Sequence, residues 1–417
     1  MKTIAAIVLT IFLTFFLTKQ ISAQDTVRIA SYNMLAYSGI TSDTTLRNPS
    51  LRTIMSSLKP DILVVQEING RNTATGFLTN VLKAVDSNYV MGPFRDSFDS
   101  ERAIFFKSNK FQSFANVQHA TSLRDINEFK LIHKISGDTL RLFGLHLKAG
   151  TNTSDINQRA GEAAVLRKAV DSLSETSLFL ALGDYNIYGA DEPAYVTITS
   201  DGNNPKTKFY DPLTMPGVWQ NSFYALYHTQ SPRTTVFGGG SAGGLDDRLD
   251  IIFMSPAIKD SQSVYMIGNS YRAFGNDGNR YNQAVNWGSN GAVGNTVAQA
   301  LHDASDHLPV VANFVFKKQS VSIDSGELPK DFSLEQNFPN PFNPSTTIRY
   351  AIPEESNVTL RVFNTLGELV SELIRNDVYA PGTYDIAFNA DTLPSGLYVY
   401  QLVVEGVVYS KAMMLIK

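Results

Sequence analysis

The chain lacks cysteine altogether. No disulfide can staple it and no thiolate can hold zinc, so its stability must come from a packed core and from any bound cations. Long apolar runs are also scarce. The one candidate is "MKTIAAIVLTIFLTFFLTKQISAQ", where Lys2 supplies a positive start, Ile4 to Thr18 an apolar stretch and Ile21-Ser22-Ala23 a small-residue cleavage site. That stretch is shorter than the roughly 20 residues of a membrane span, so residues 1–23 read as a cleaved export signal, with a retained N-terminal anchor as the alternative. No other segment is long and apolar enough to cross a bilayer. Charge of one sign is missing too: the net charge is −4. Five Lys/Arg and nine Asp/Glu fall in residues 333–417, which leaves 30 of each sign in residues 1–332. No global basic field draws in nucleic acid, and a polyanion would have to be held by a local patch. The glycine-rich "FGGGSAGG" lacks the Lys-Ser/Thr of a phosphate-cradling loop and reads as a flexible loop.

What is present is the material of a folded protein of two or three domains: 417 residues, 43% apolar and 18% charged. From Val27 to Phe316, strand-like runs alternate with helical stretches. The runs are "VRIASYNML", "DILVVQE", "RAIFFK", "KLIHKI" (130–135), "LRLFGLHL", "SLFLALGD", "RLDIIFMS" and "PVVANFVF". Helical spacing appears at 50–58 and 156–173; in the latter Ala160, Ala163, Ala164, Leu166, Ala169, Val170 and Leu173 share one side, with Arg159, Glu162, Arg167 and Lys168 opposite. Buried strands with covering helices indicate a layered α/β fold with room for two sheets. Residues 199–245 and 268–303 are poor in regular signal, which suits binding loops or lids. Polar "KKQSVSIDSGELPK" reads as a linker. Beyond it, short β-type runs separated by Pro, Gly, Asn and Asp turns suggest a small antiparallel sandwich. The expected division is a signal peptide at 1–23, a layered α/β domain at 24–317, a linker at 318–332 and a small all-β domain at 333–417.

Acidic and amide residues recur where the apolar runs finish. Asn33 closes the first, Gln66-Glu67 the second, His146 the fifth, and Asp184 with Asn186 the sixth; Asp250 interrupts "RLDIIF", and Asp306-His307 introduces the last. Taken singly each has a structural explanation: Asn33 a strand-end cap, Glu67 a surface strand end, His146 a core histidine, Asp250 a paired strand residue, Asp306 a turn. Together they form a site, because ligands in layered α/β proteins gather at strand ends. Oxygen donors without thiolates or a histidine cluster favour Mg2+, Mn2+ or Ca2+. Histidines placed with carboxylates suit proton transfer and oxyanion stabilisation, and the combination fits attack of water on a phosphate ester. In "LGDYN", Gly183 is expected to turn the backbone sharply while Asp184 and Asn186 face one side. His119, His133, His228 and His302 stand outside this pattern.

The ordered set "SYNML", "VVQE", "GLHLKAG", "LGDYN", "RLDIIF" and "ASDHLPV" resembles the endonuclease/exonuclease/phosphatase family, which includes pancreatic-type deoxyribonucleases, apurinic/apyrimidinic endonucleases, neutral sphingomyelinases and inositol-polyphosphate phosphatases. The resemblance implies a four-layer α/β sandwich with two packed mixed sheets. It implies Glu67 as main metal ligand for Mg2+ or Mn2+ (Ca2+ as a structural ion), with Asn33 and Asp306 near the ion directly or through water. It further implies Asp184 as base or nucleophile-orienting group, Asn186 positioning water or a phosphate oxygen, a His307–Asp250 dyad acting as general base or phosphate ligand, and His146 donating to a non-bridging oxygen. DNA or RNA is the first substrate expectation, a phosphate-ester lipid or small molecule the second, and a non-catalytic surface binding protein the reading from another class. Lys148 is a candidate for anion steering, or else a solvated loop lysine. Arg102 and Arg159 suit surface ion pairs, or else reach for phosphate. The aromatics of "VWQNSFYALYH" suit core, or else a membrane-touching loop.

"LEQNFPNPFNPSTTIRYAIP", "LRVFNTLGELV" and "LPSGLYVYQLVVEG" resemble the type IX secretion sorting domain. That resemblance implies export through the inner membrane by the signal peptide and through the outer membrane by the type IX machinery, to the cell surface or the medium. An adhesive or spacer Ig-like module is the alternative. Nothing in the sequence asks for more than a monomer.

Overall fold

Side chains alternate across a strand with a period of two, and in this chain that alternation sorts the apolar residues into separate layers. The computed structural model describes residues 24–39, 43–95, 102–260, 263–317, 329–391 and 393–417. The expected signal peptide and residues 318–328 of the expected linker lie outside the described residues. The chain divides into two units, Met1–Lys318 and Gln319–Lys417.

The strands of the first unit are β1 (Gln24–Tyr37), β2 (Ile62–Ile68), β3 (Tyr89–Met91), β4 (Ala103–Lys107), β5 (Phe111–His119), β6 (Ile126–His133), β7 (Thr139–His146), β8 (Leu178–Asp184), β9 (Asp250–Met254), β10 (Val264–Met266), β11 (Arg272–Ala273) and β12 (Val310–Lys317). They form a seven-stranded sheet, β10-β12-β1-β2-β4-β3 with β11 on β12, and a five-stranded sheet, β5-β6-β7-β8-β9. Both are mixed, because β1 runs parallel to β2 and β7 parallel to β8 while their other pairings are antiparallel.

Val27 and Ile29 of β1, Ile62 and Val64 of β2, Leu140 and Leu142 of β7, and Leu180 and Leu182 of β8 belong to one cluster between the sheets. Their neighbours of opposite parity turn outward. Ala30, Tyr32, Leu63 and Val65 pack on the helices Asn48–Leu58 and Asn295–Ala304. Phe143, Phe179 and Ala181 pack on the helices Thr153–Asp171 and Pro193–Thr199. The order helix, sheet, sheet, helix is the expected four-layer α/β sandwich. Among the described residues no helix is long and apolar enough to cross a membrane.

Several local expectations are corrected. Residues 268–303 were expected to lack regular structure, yet a helix spans Asn295–Ala304. Three of its buried positions are alanines (Ala298, Ala300, Ala304), which carry little hydrophobic contrast. Strand β5 escapes notice as a half-exposed edge strand rich in polar residues, and β6 starts four residues before the run that marks it. In the helix Thr153–Asp171 the buried face carries Arg159, Glu162 and Arg167 beside Ala163, Leu166 and Val170. The spacing is helical as expected, but the face is rotated because each charge finds an internal partner: Arg159 binds Glu192, Glu162 accepts from Lys148 N–H and Arg167 donates to the Thr207 carbonyl.

The second unit comprises β13 (Ser333–Leu334), β14 (Ser345–Ile352), β15 (Ser356–Asn364), β16 (Leu369–Tyr379), β17 (Gly382–Asn389), β18 (Gly396–Val404) and β19 (Val407–Leu415). They form two antiparallel sheets, β13-β14-β17 and β16-β15-β18-β19. Ile348, Tyr350 and Ile352 meet Val358, Leu360, Val362, Tyr400 and Leu402 in its core. Strand β16 gives little sequence signal because its Glu, Asn and Asp residues are depleted in strands, and its ladder with β15 is irregular.

One ionic cluster yields a stability prediction. Burial would raise the Glu128 carboxyl, but the His119 hydrogen bond and the Arg141 and Lys130 charges outweigh it and hold the group at about 2. The contacts are His119 Nε2 at 3.0 Å, Arg141 Nη1 at 2.5 Å and Lys130 Nζ at 3.7 Å. Because the folded value lies below the unfolded one, the stabilisation is complete above pH 4.5 and is lost as pH falls toward 2. Glu128→Gln should therefore lower the unfolding free energy by about 3 kcal/mol at pH 7 and by less at each step into that acid window, measured by urea titration. A pH-independent difference contradicts this account.

Candidate active site

The same alternation that fills the inter-sheet layer ends it in polar groups at one rim. On β1, Val27 and Ile29 are followed on the same face by Ser31 and Asn33; on β2, Ile62 and Val64 by Gln66; on β7, Leu140 and Leu142 by His146; on β8, Leu180 and Leu182 by Asp184. Strand β9 runs the other way and begins there with Asp250, before Ile252 and Met254 enter the core. Register completes the convergence, since Asn33 pairs with Gln66, His146 with Asp184 and Asp184 with Asp250. Ser31 and Gln66, hydrogen-bonded at 3.0 Å, form the first polar rung.

Asn33 bridges the two sheets. Its Nδ2 donates to Glu67 Oε1 at 2.9 Å and to Asp184 Oδ2 at 3.0 Å, while its Oδ1 accepts from Leu35 N–H at 3.0 Å. By parity Glu67 should face the helices. Instead its backbone is left-handed (φ 57°), as are Leu35 (φ 46°) and Ala36 (φ 43°), and its Oε2 accepts from Ala36 N–H at 2.8 Å. Three non-glycine residues in that region represent local strain, of the kind that concentrates at functional sites.

Across the rim, His307 Nδ1 lies 2.7 Å from Asp250 Oδ2, forming a carboxylate-imidazole pair. His307 Nε2 and His146 Nε2 each stand 3.6 Å from Asp184 Oδ2, and His146 Nε2 is 3.7 Å from Glu67 Oε1. Six of the eight expected residues (Asn33, Glu67, His146, Asp184, Asp250 and His307) thus form one cluster joined through their side chains.

Its electrostatics follow from burial. Asp184 is pushed up to about 7, first by desolvation and then by the charges of Asp250 and Glu67, with His307 and Asn33 opposing. Desolvation lowers His307, yet Asp250, Asp184 and Asp306 together carry it well above an ordinary imidazole. His146 falls well below that value, through desolvation and through repulsion by Arg124, His307 and Arg102.

Asn186 and Asp306 sit differently. Asn186 has φ 51°; its N–H donates to Asp184 Oδ1 at 3.0 Å and its Nδ2 to the Leu147 carbonyl at 3.1 Å. The turn after β8 is therefore made at Asn186, which corrects the role expected of Gly183. Gly183 lies inside β8, where a Cβ would meet the Leu145 carbonyl oxygen at 2.0 Å, so glycine is needed for close strand approach. Asp306 Oδ2 accepts from Ser241 N–H at 2.6 Å, and Gly240 leaves no room for a Cβ, which would fall 2.6 Å from the same oxygen. The expected flexible glycine loop is thus seated on the site: Ser231 N–H bonds the Gly244 carbonyl and Ser231 Oγ the Ser241 carbonyl.

Of the three cations expected at the surface or on substrate, two are buried and the third, Lys148, is paired at the surface. Lys148 bonds the Ala149 carbonyl and Asp155. Arg159 is buried on Glu192, and Arg102 on Asn127 and the Asp125 carbonyl. Of the "VWQNSFYALYH" residues, Trp219 and Tyr224 enter the core as expected, but Phe223 is 84% exposed and Val218 66%. Thr229, Gln230 and Ser241 also touch the site residues; they lie in aperiodic sequence, and two of them act through backbone atoms or a hydroxyl.

Among the described residues no group of three or more His, Asp or Glu side chains is preassembled around a metal position. The donor set still fits a hard divalent cation. Glu67 is the site carboxylate that meets solvent, at 23% side-chain exposure against 2% for Asp184 and 0% for Asp250. Mg2+ is commonly held by one or two carboxylates, with water and phosphate oxygens completing its octahedron.

Residues 336–416 match the secretion system C-terminal sorting domain family and constitute a type IX sorting domain, which marks the chain for export to the cell surface or the medium. No curated protein matches the chain. Similar solved structures are endonuclease/exonuclease/phosphatase family proteins. One is TDP2 from D. rerio in complex with single-strand DNA product, at 15% identity and TM-score 0.46, with 69% of this chain and 98% of that one covered. Another is a family protein from Bacteroides thetaiotaomicron, at 17% identity and TM-score 0.44, covering 71% and 99%. A third is a mannosyl-6-phosphatase from Bacteroides thetaiotaomicron VPI-5482, at 17% identity and TM-score 0.43, covering 70% and 100%.

Gly183→Ala should destabilise the first unit by about 3 kcal/mol, as overpacking against unyielding backbone does. Thermal unfolding measures it; a melting temperature equal to that of the parent protein refutes the close-approach argument.

Proposed function

We propose that the first unit is a divalent-metal-dependent phosphodiesterase acting outside the cell, with extracellular nucleic acid as its first substrate. The observation that carries this reading is the Asp184 carboxylate standing 3.6 Å from both His146 Nε2 and His307 Nε2, with Asp250 behind His307 and Asn33–Glu67 alongside. A buried acid between two imidazoles, next to one solvent-facing carboxylate, can move a proton and hold an anion in one place.

Glu67 is the main ligand of Mg2+ or Mn2+ in this proposal, with Asn33 beside it. Ser241 N–H takes one oxygen of Asp306, so any approach of that residue to the ion uses the other oxygen or a water. When bound, the cation neutralises phosphate charge and polarises the ester. Asp184 orients the attacking water or takes its proton, and Asn186 fixes that carboxylate through its N–H. Asp250 sets the tautomer and charge of His307, which contacts the phosphate. Neutral His146 donates one N–H to a non-bridging oxygen.

A second reading is a lipid or small-molecule phosphate ester. The exposure of Phe223, Val218 and Leu226 favours it, since three large apolar side chains in one short segment suit a substrate with an apolar part. A non-catalytic surface protein fits less well, because a degenerate site has no reason to keep Glu67, Asp184 and His307 together.

The full chain, incubated with supercoiled plasmid and Mg2+ or Mn2+, should nick it, and EDTA should abolish nicking. His307→Ala and Asp184→Ala should each lower turnover by about 10²–10⁴; Asp184→Ala should remain as thermostable as the parent, whereas His307→Ala leaves the buried Asp250 without its imidazole and should melt lower while still folding. Intact plasmid from folded protein redirects the assignment to phospholipid and small phosphodiesters. Undiminished activity of the doubly substituted protein refutes it.

A further inference from the structure

We infer that Gln230 is a positioning residue for His307, gripping the end of the imidazole ring that Asp250 does not hold. The inference rests on the phosphodiesterase reading only for its consequence in turnover; the contact itself stands on geometry. The Gln230 side-chain amide lies 2.7 Å from His307 Nε2, while Asp250 Oδ2 lies 2.7 Å from His307 Nδ1.

Both grips come from one ribbon. Thr229 and Gln230 donate their N–H groups to the Asp247 carbonyl at 2.8 and 3.1 Å, and Asp246 and Asp247 return bonds to the Gln230 carbonyl at 3.0 and 3.1 Å. The ribbon continues into β9, where Thr229 Oγ1 accepts from Asp250 N–H at 3.1 Å. A third contact ties it to the histidine's own segment, since Leu308 N–H donates to the Thr229 carbonyl at 2.7 Å. His307 is therefore fixed at both ring nitrogens and at the adjoining backbone by residues 229–250.

Asp250 alone leaves the ring able to pivot about the Nδ1 contact. In the substrate-free site the second contact sets where Nε2 points, 3.6 Å from Asp184 Oδ2, so the ring is already aimed when a phosphate oxygen takes over the hydrogen bond at Nε2. A glutamine suits this position because its amide both donates and accepts, so it can serve an imidazole nitrogen of either character. Displacement of a reacting group by about 1 Å can cost two orders of magnitude in rate, so loss of one of two ring contacts is expected to be felt in kcat rather than in KM.

The test uses the full chain carrying Gln230→Leu, with Gln230→Ala as the smaller second variant, and two readouts. The first is the long-range 1H–15N spectrum of the His307 ring, assigned by its disappearance in His307→Ala; it needs no turnover. Both variants should shift or broaden the Nε2 resonance while keeping the Nδ1 proton bonded to Asp250. The second is hydrolysis of bis(p-nitrophenyl) phosphate with Mn2+, where kcat should fall about tenfold with KM within about twofold. Unchanged ring signals overturn the proposal whatever the activity. A shifted ring with raised KM and unaltered kcat overturns it too, by making Gln230 a substrate contact. Absence of turnover in the parent protein fails the phosphodiesterase reading alone, and the ring spectrum then decides the Gln230 contact.

Discussion

Everything in the first unit depends on keeping the layer between its two sheets dry along its length and polar at one rim. The period-two alternation of β1, β2, β7, β8 and β9 achieves both, because the first four place their last inward-facing side chain, and antiparallel β9 its first, at the same level. Apolar burial of this kind is the main stabilising term in folding. Here it also fixes the position of charged groups that could not otherwise be brought together: Asp184, Asp250 and His307 are each less than 5% exposed.

Buried charges are costly unless they are paired and hydrogen-bonded. The site meets that condition by sharing. Asn33 serves two carboxylates, Asp250 is matched to His307, and the ribbon 229–250 supplies backbone contacts around them. Asp184 has no cation within hydrogen-bonding distance, His307 Nε2 standing 3.6 Å away, and its carboxyl rises to about 7 because desolvation outweighs that charge. Strain at Leu35, Ala36 and Glu67 belongs to the same design, for it turns Glu67 out of its natural strand face and toward the mouth.

Much of this architecture is legible in the sequence because alternating apolar runs announce both the strand and its end. Asn33, His146, Asp184 and Asp250 are readable as strand termini, and the four-layer arrangement follows from the family resemblance. Glu67 is readable as a residue but not as a geometry, since a left-handed φ leaves no mark in "VVQE". Ser241 acts through a backbone N–H, which no residue type signals, and the glycines around it look like a loose loop rather than a fitted one. Gln230 lies in "HTQSPRT", where no periodicity separates a site residue from a loop residue. Arg102 and Arg159 illustrate the converse: cations that composition assigns to the surface are used inside, where only tertiary contacts reveal their partners.

The central claim is that these strand ends form one phosphate-hydrolysing centre. It is tested most directly by crystals of the full chain grown with Mn2+ and a non-hydrolysable thiophosphate diester, read by anomalous diffraction at the manganese edge. The account predicts a manganese peak bonded to a Glu67 carboxylate oxygen, with phosphate oxygens within hydrogen-bonding distance of His146 and His307. A diester bound elsewhere, or an ion that ignores Glu67 while the diester occupies the rim, contradicts it.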